Sequence, residues 1–457
     1  MIRLAWPMVV IQLLQVAYNV ADTIFLGAVS EDAVGALSLS FPLIFFLISV
    51  GGGFTAAGAI LVAQYTGASG SGRADEIAGQ TLAFVTIVAV AIGIVGYLST
   101  DWMLGLLPAD AATQERIVPL AADYMRIYFL GMPFLFGFFV FVSLMRGYGN
   151  TRTPMRVMIV SVAVNVALDP LLIFGIGPFP RLEIEGAAIA TIAARFVATA
   201  LGLYVLFGTD AGPDVRLAHL SLDFGHVRDI VRIGTPSALE QSSASLAMIV
   251  LTAIVVTFSP EVVAAYGLGN RVISLVFLPV MGLAQAMDTV VGQNLGADRP
   301  DRAKRAAWLA MGLSAGVMAV LTAVVYLVPE PIVGVFLTAE TPGAPQTIRY
   351  GVEYLRIAAF MFVFMGVLQI VLGTFRGAGN TRTALAFSLV TLWVVRVPVT
   401  YYLVFVAGWA ETGIWIGVLV GDVVGCLAAI AWFLRGTWAE KVIDDPPVPE
   451  GAVPGDD

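Results

Sequence analysis

Arg146-Gly147-Tyr148-Gly149-Asn150-Thr151-Arg152-Thr153 returns 230 residues later as Arg376-Gly377-Ala378-Gly379-Asn380-Thr381-Arg382-Thr383, identical at seven of eight positions. In the same register Tyr124, Arg126 and Ile127 fall on Tyr354, Arg356 and Ile357. At a shift of 229, Pro7 falls on Pro236, and Gln64, Gly67 and Ala68 fall on Gln293, Gly296 and Ala297. Matches at four separate places with a nearly constant offset mark a tandem duplication.

Each copy of the motif sits between two long apolar runs. The chain is 59% hydrophobic and 12% charged, far outside the balance of a water-soluble domain. Apolar runs of roughly twenty residues, long enough to cross about 30 Å of hydrocarbon as a helix, recur from end to end. The runs place twelve spans at 4–28, 33–65, 78–99, 121–145, 155–176 and 186–208, then 229–257, 262–292, 305–327, 351–375, 383–407 and 412–434. They are continuously apolar rather than alternating over about ten residues, so they read as helices and not as a barrel. The first is too long for a secretory h-region and is expected to stay as helix one.

The expected fold is therefore an all-α polytopic membrane protein with twelve transmembrane helices in two parallel six-helix repeats. Because six is even, both repeats enter the membrane in the same direction, which relates them by an axis along the membrane normal. The boundaries follow: a first lobe over 1–208, a linker over 209–228, a second lobe over 229–435 and a disordered acidic tail over 436–457. Two bundles that rock about a central site are the physical basis of alternating access. A duplicated scaffold for a channel or a membrane enzyme is the alternative.

Positive charge on short loops sets orientation. With the N-terminus inside, sixteen Arg and Lys residues fall on the cytoplasmic side against Arg116, Arg181 and Arg349 outside. Both termini are thus expected in the cytoplasm, in a multi-pass protein of the plasma membrane. The single Cys426 excludes a disulfide framework, and His219 and His226 lie in one polar loop, so zinc chemistry is not expected. No nucleic-acid partner, cofactor or enzymatic activity is expected; no His-Glu-x-x-His, Gly-x-Ser-x-Gly or Walker loop is present.

An Asp at mid-helix costs about 2.5–3.5 kcal/mol on insertion scales, so each intramembrane polar group needs a reason. Helix one carries Gln12, Gln15, Asn19 and Asp22 in steps that share one face. Helix five carries Asn165 and Asp169 one turn apart, and helix six offers Thr191. Counted at about 1.5 Å per residue from the helix ends, Asp22, Asn165, Asp169 and Thr191 fall in one layer in the outer half of the membrane. Two carboxylates, an amide and a hydroxyl suit a hard cation such as Na⁺, or protons shared by the two acids. The repeat serves as a control, because the counterparts of Asp22, Asn165 and Asp169 are Leu251, Val395 and Val399. Arg195, one turn past Thr191, opens a structural alternative in which it neutralises Asp22 or Asp169. In the second repeat Glu240 is a candidate to line the cavity, or else to pair with Arg271 or Arg396.

Taken together, these residues resemble the multidrug and toxin extrusion (MATE) family and its DinF-like branch, over essentially the whole chain. The basic Arg-Gly-x-Gly-Asn-Thr-Arg-Thr loops match, as does the Val291-Gly292-Gln293-Asn294-Leu295-Gly296-Ala297 end of helix eight. So does the spacing of Pro7, Gln15, Tyr18 and Asp22 on helix one and of Met158, Asn165 and Asp169 on helix five. The resemblance implies a secondary antiporter in which Na⁺ or H⁺ entering at Asp22, Asn165, Asp169 and Thr191 drives export of organic, cationic or aromatic drugs. It implies substrate contacts at Gln15, Tyr18 and Met158, to which the polar stripe adds Asn19 and the cavity reading adds Glu240, and a hinge at Pro7. The expected unit is a monomer in the lipid bilayer. Two rivals remain: a flippase for lipids or lipid-linked sugars from the same superfamily, and a membrane-embedded enzyme.

Overall fold

The computed structural model describes residues 1–105, 111–336 and 343–443, and among them all regular structure is helical. The first six crossings are α1 (Ile2–Gly27), α2 (Glu31–Gly67), α3 (Ser71–Gly105), α4 (Val118–Leu130 followed by Met132–Tyr148), α5 (Arg152–Phe174) and α6 (Glu183–Gly208). The second six are α7 (Phe224–Val255), α8 (Pro260–Gly296), α9 (Pro300–Leu327), α10 (Ala344–Gly377), α11 (Thr381–Val406) and α12 (Ala410–Phe433). All twelve expected spans are present, and half of the helices outrun their apolar stretch by a turn or more. Polar and charged first turns explain the excess: Ser30 caps α2 by accepting from the amide of Ala33, and Asp223 caps α7 by accepting from Gly225 and His226.

Two helices depart from a straight rod. α4 bends by 54° at Gly131, two residues before Pro133, whose missing N–H removes one hydrogen bond from the ladder. α11 widens into π turns over Val390–Arg396 and Tyr402–Val406, on either side of Pro398.

The repeated motif is a reversal between helices. Gly149 and Gly379 take the left-handed conformation, with φ of 102° and 77°, and end α4 and α10. After each of them an asparagine bonds the threonine three residues on: Asn150 Nδ2 donates to Thr153 Oγ1 at 2.9 Å, and Thr383 Oγ1 donates to Asn380 Oδ1 at 2.7 Å. The motif's conspicuous glycines and amides thus serve chain reversal.

Apolar side chains of α1–α6 pack into one continuous core that includes Met125, Phe129, Phe136, Phe141 and Met145. Those of α7–α12 divide into two, one around Met287, Leu372 and Phe375 and one around Tyr354, Phe362 and Trp415. Outward, the helices show water-avoiding residues such as Leu98 and Leu327, 77% and 74% exposed, as a surface that faces lipid should.

The two repeats meet mainly through α2 with α7, α2 with α8 and α1 with α8. Contact is closest on the face that carries both ends of the chain. There Gly67 of α2 lies against the backbone of Gln293, and its repeat mate Gly296 of α8 lies against that of Gln64, too close in both cases for any side chain. Gln64 Nε2 donates to the Gly377 carbonyl at 3.1 Å, and Gln293 Nε2 donates to the Gly147 carbonyl at 3.0 Å. Higher up, Ser49 and Ser242 hydroxyls meet at 3.0 Å.

The segment expected to begin an unstructured tail at 436 instead packs. Trp438 is buried and stacks on Phe433, the Val442 amide donates to Gln64 Oε1 at 3.0 Å, and Ile443 is buried against the first repeat. An indole and two branched aliphatics in that octet provide the apolar surface for docking; residues 444–457 lie outside the described residues.

Candidate functional site

α1 packs along α5 and α5 along α6, and the polar stripe of α1 turns toward that seam. Asp22 is 5% exposed, Thr191 3%, and Asn165 and Asp169 are fully buried. Asp22 faces Asp169, Asn165 and Thr191 at once. Asn165 Nδ2 donates to Asp169 Oδ1 at 3.2 Å, one turn apart on α5. All four residues read from the sequence as an ion layer are therefore brought together from three helices.

Asp22 Oδ1, Asn165 Oδ1, Asp169 Oδ2 and Thr191 Oγ1 are buried oxygens that converge on one another. Two carboxylates held together away from water are costly unless a cation or a shared proton offsets their charge. Converging oxygens without nitrogen or sulfur donors suit a hard cation, and two facing carboxylates suit a shared proton.

Arg195 departs from its expected role. Among the described residues it has no carboxylate within ion-pairing distance. Its Nη2 donates to Gln15 Oε1 at 2.7 Å, its Nη1 approaches Met158 Sδ at 3.6 Å, and its guanidinium lies 5.0 Å from the Tyr18 ring and 5.3 Å from the Phe138 ring. Gln15, Tyr18 and Met158 are thus assembled into one place, beside the ion layer and around a positive charge. Asn19 is half-buried on the adjoining face of α1, and its carbonyl accepts from Thr23 Oγ1 at 2.8 Å. Phe138, on the second limb of α4, had no polar signal in the sequence to bring it to notice.

Glu240 is elsewhere. It accepts from Arg376 Nη1 at 2.8 Å and from Ser388 Oγ at 3.1 Å, rather than from Arg271 or Arg396. Arg376 Nε in turn lies 3.6 Å from Asp288, and Arg146 Nη1 of the first repeat lies 3.9 Å from the same carboxylate. The two repeat-related arginines, counted from sequence as loop charges, instead turn inward, Arg146 buried and Arg376 partly so, and flank one aspartate where the repeats join. Arg396 pairs with Asp422 at 2.7 Å, a partner that sequence reading passed over. The signal was available, since Asp422 is an acid in the middle of the apolar α12. Pro7, the expected hinge, lies within α1, which is helical from Ile2 through Gly27.

The sequence matches the family model MatE twice, over residues 7–171 and 236–402. The chain belongs to the MatE family. The double match repeats the offset of the internal duplication, and members of the MatE family are transporters. Among curated relatives, the probable multidrug resistance protein YoeA of Bacillus subtilis (strain 168) is 31% identical over 417 residues, covering 90% of this chain and 88% of its own. Among solved structures, a MOP superfamily transporter from Pyrococcus furiosus superposes with a TM-score of 0.89 at 25% identity, covering 96% of each chain. A multidrug resistance MATE family transporter of the MOP superfamily, solved in an outward-facing conformation, superposes with a TM-score of 0.86 at 25% identity over 96% of each chain.

Proposed function

We propose that this MatE protein is a secondary antiporter that exports organic compounds in exchange for Na⁺ or H⁺ by alternating access. The observation that carries the reading is the convergence of two facing buried carboxylates, Asp22 and Asp169, with the amide of Asn165 and the hydroxyl of Thr191. Multidrug export is supported by the names of relatives such as YoeA and the solved MATE transporter, which do not favour the flippase alternative.

In this reading the lobes 1–208 and 229–435 rock against each other, with 209–228 as the linker. The unit is a monomer in the plasma membrane with both termini in the cytoplasm; the excess of basic residues on that side, which persists without Arg146 and Arg376, supports the orientation. The tightly joined face is then cytoplasmic and the protein faces outward. Substrate contacts Gln15, Tyr18 and Met158, and Pro7 supplies the flexible point of α1. Cation binding at the four oxygens neutralises Asp22 and Asp169, and the altered charge changes how α1 seats against α5 and α6.

The test is efflux of a fluorescent organic cation from proteoliposomes under separately imposed Na⁺ and proton gradients. One gradient should drive efflux, and Asp22→Asn should abolish it; coupled efflux unchanged by that substitution would remove the proposed ion site.

A further inference from the structure

The buried charges among the described residues of α1–α6 are Asp22, Asp169, Arg195 and Arg146. Arg146 is engaged with Asp288 at the junction of the repeats. Arg195 makes no ion-pair contact with either acid, although it sits one turn from Thr191 on the helix that completes their layer and its charge is felt at Asp22. It is 2% exposed, its Nε has no partner, and its polar contacts are the amide of Gln15, the Met158 sulfur and two aromatic faces. A guanidinium held by neutral groups so near two carboxylates has two places to be.

An amide oxygen, an aromatic face and a thioether are also what an aromatic cation needs. We propose that Arg195 is a tethered cation that fills the organic cation's subsite at Gln15, Tyr18 and Met158, so that substrate binds there only by displacing the guanidinium toward Asp22 and Asp169. This rests on the ion-site reading above. With the acids free of cation, the guanidinium can swing to them and leave Gln15 and Tyr18 to substrate. With a cation on the acids, that position is repulsive, and the guanidinium returns to Gln15 and Tyr18 and expels the substrate. The interior charge moves in the same sense: two carboxylates and one arginine sum to minus one, and a monovalent cation loaded on the acids brings the sum to zero. The other titratable groups facing this spot are the phenols of Tyr124 and Tyr128 on α4. Neutral phenols do not change the count. The exclusion that antiport requires is then made by one side chain with two positions.

The experiment is equilibrium binding of tetraphenylphosphonium to the purified full-length protein, with and without Na⁺ and at two proton concentrations. It compares wild type, Arg195→Met, Arg195→Lys and Gln15→Glu, each checked for monodispersity and melting temperature. Arg195→Met should bind the probe about tenfold more tightly, because a charged competitor for the same acceptors is gone, and the coupling cation should no longer weaken that binding. Arg195→Lys should resemble wild type. Gln15→Glu, which grips the guanidinium with a full charge, should weaken binding. Unchanged or weaker probe binding in a folded Arg195→Met overturns the proposal, as does cation antagonism equal to that of wild type. Should Arg195→Met fail to fold, unchanged or tighter binding in Gln15→Glu overturns it. The ion-site reading fails separately, through Asp22→Asn: antagonism that survives this substitution while Arg195→Met still tightens binding removes the ion site and leaves the tethered cation.

Discussion

The seam of α1, α5 and α6 leaves its buried acids without an ion pair, whereas the matching helices of the second repeat form one. In α1, α5 and α6, Asp22 and Asp169 face each other and Arg195 lies on Gln15. In α11 and α12, Arg396 and Asp422 close on each other at 2.7 Å. Gly186 of α6 packs on Leu172, and Gly413 of α12 packs on Leu403, which aligns these helix pairs at offsets of 227 and 231 rather than 230. The π turns of α11 supply the extra residue. By this packing Arg195 stands opposite Asp422, Asn165 opposite Arg396 and Asp169 opposite Thr400, a correction to the Val395 and Val399 assigned by constant offset. In the second repeat opposite charges lie in contact, whereas in the first two like charges face each other, an arrangement that a cation or a shared proton would relieve.

That contrast can be broken from either side. The largest effect is expected from Asp169→Val, which removes a carboxylate the second repeat does without: ion-driven efflux from proteoliposomes should fall to background while the protein remains folded. Next, Arg396→Met strands the buried Asp422 carboxylate and should destabilise the protein by about 3–5 kcal/mol, read from denaturation in detergent. The double substitution Arg396→Met with Asp422→Leu should recover most of this and keep ion-driven efflux; loss of coupling there would make the second lobe a working one too. Gly67→Ala forces α2 off the Gln293 backbone and should disfavour the joined face by about 1–3 kcal/mol, seen as a shifted distance distribution between spin labels on the two lobes. Smallest, Thr191→Ala deletes one neutral oxygen and should weaken coupling-ion affinity by about tenfold, with efflux restored at higher ion concentration.

The joining face offers a second contrast with the ion layer. Arg146 and Arg376 were legible as basic loop residues, and their place in the motif was correct. Their burial was not legible, because a charge near a helix end reads as exposed unless the other repeat is known to cover it. The packed octet 436–443 was hidden for the same reason: a short segment after the last span, leading into an acidic tail, shows its apolar residues only against a surface built from both repeats.

Sequence alone determined the twelve spans, the duplication, the layer of Asp22, Asn165, Asp169 and Thr191 and the neighbourhood of Gln15, Tyr18 and Met158. Each depends on local quantities, namely apolar run length, helical spacing and depth along a helix, which need no partner to be counted. Only the tertiary structure decided who pairs with whom. Arg195 chose Gln15 over the acids, Glu240 chose Arg376, and Arg396 chose Asp422, because ion pairing depends on distances of a few ångströms between different helices and one-dimensional spacing does not contain them.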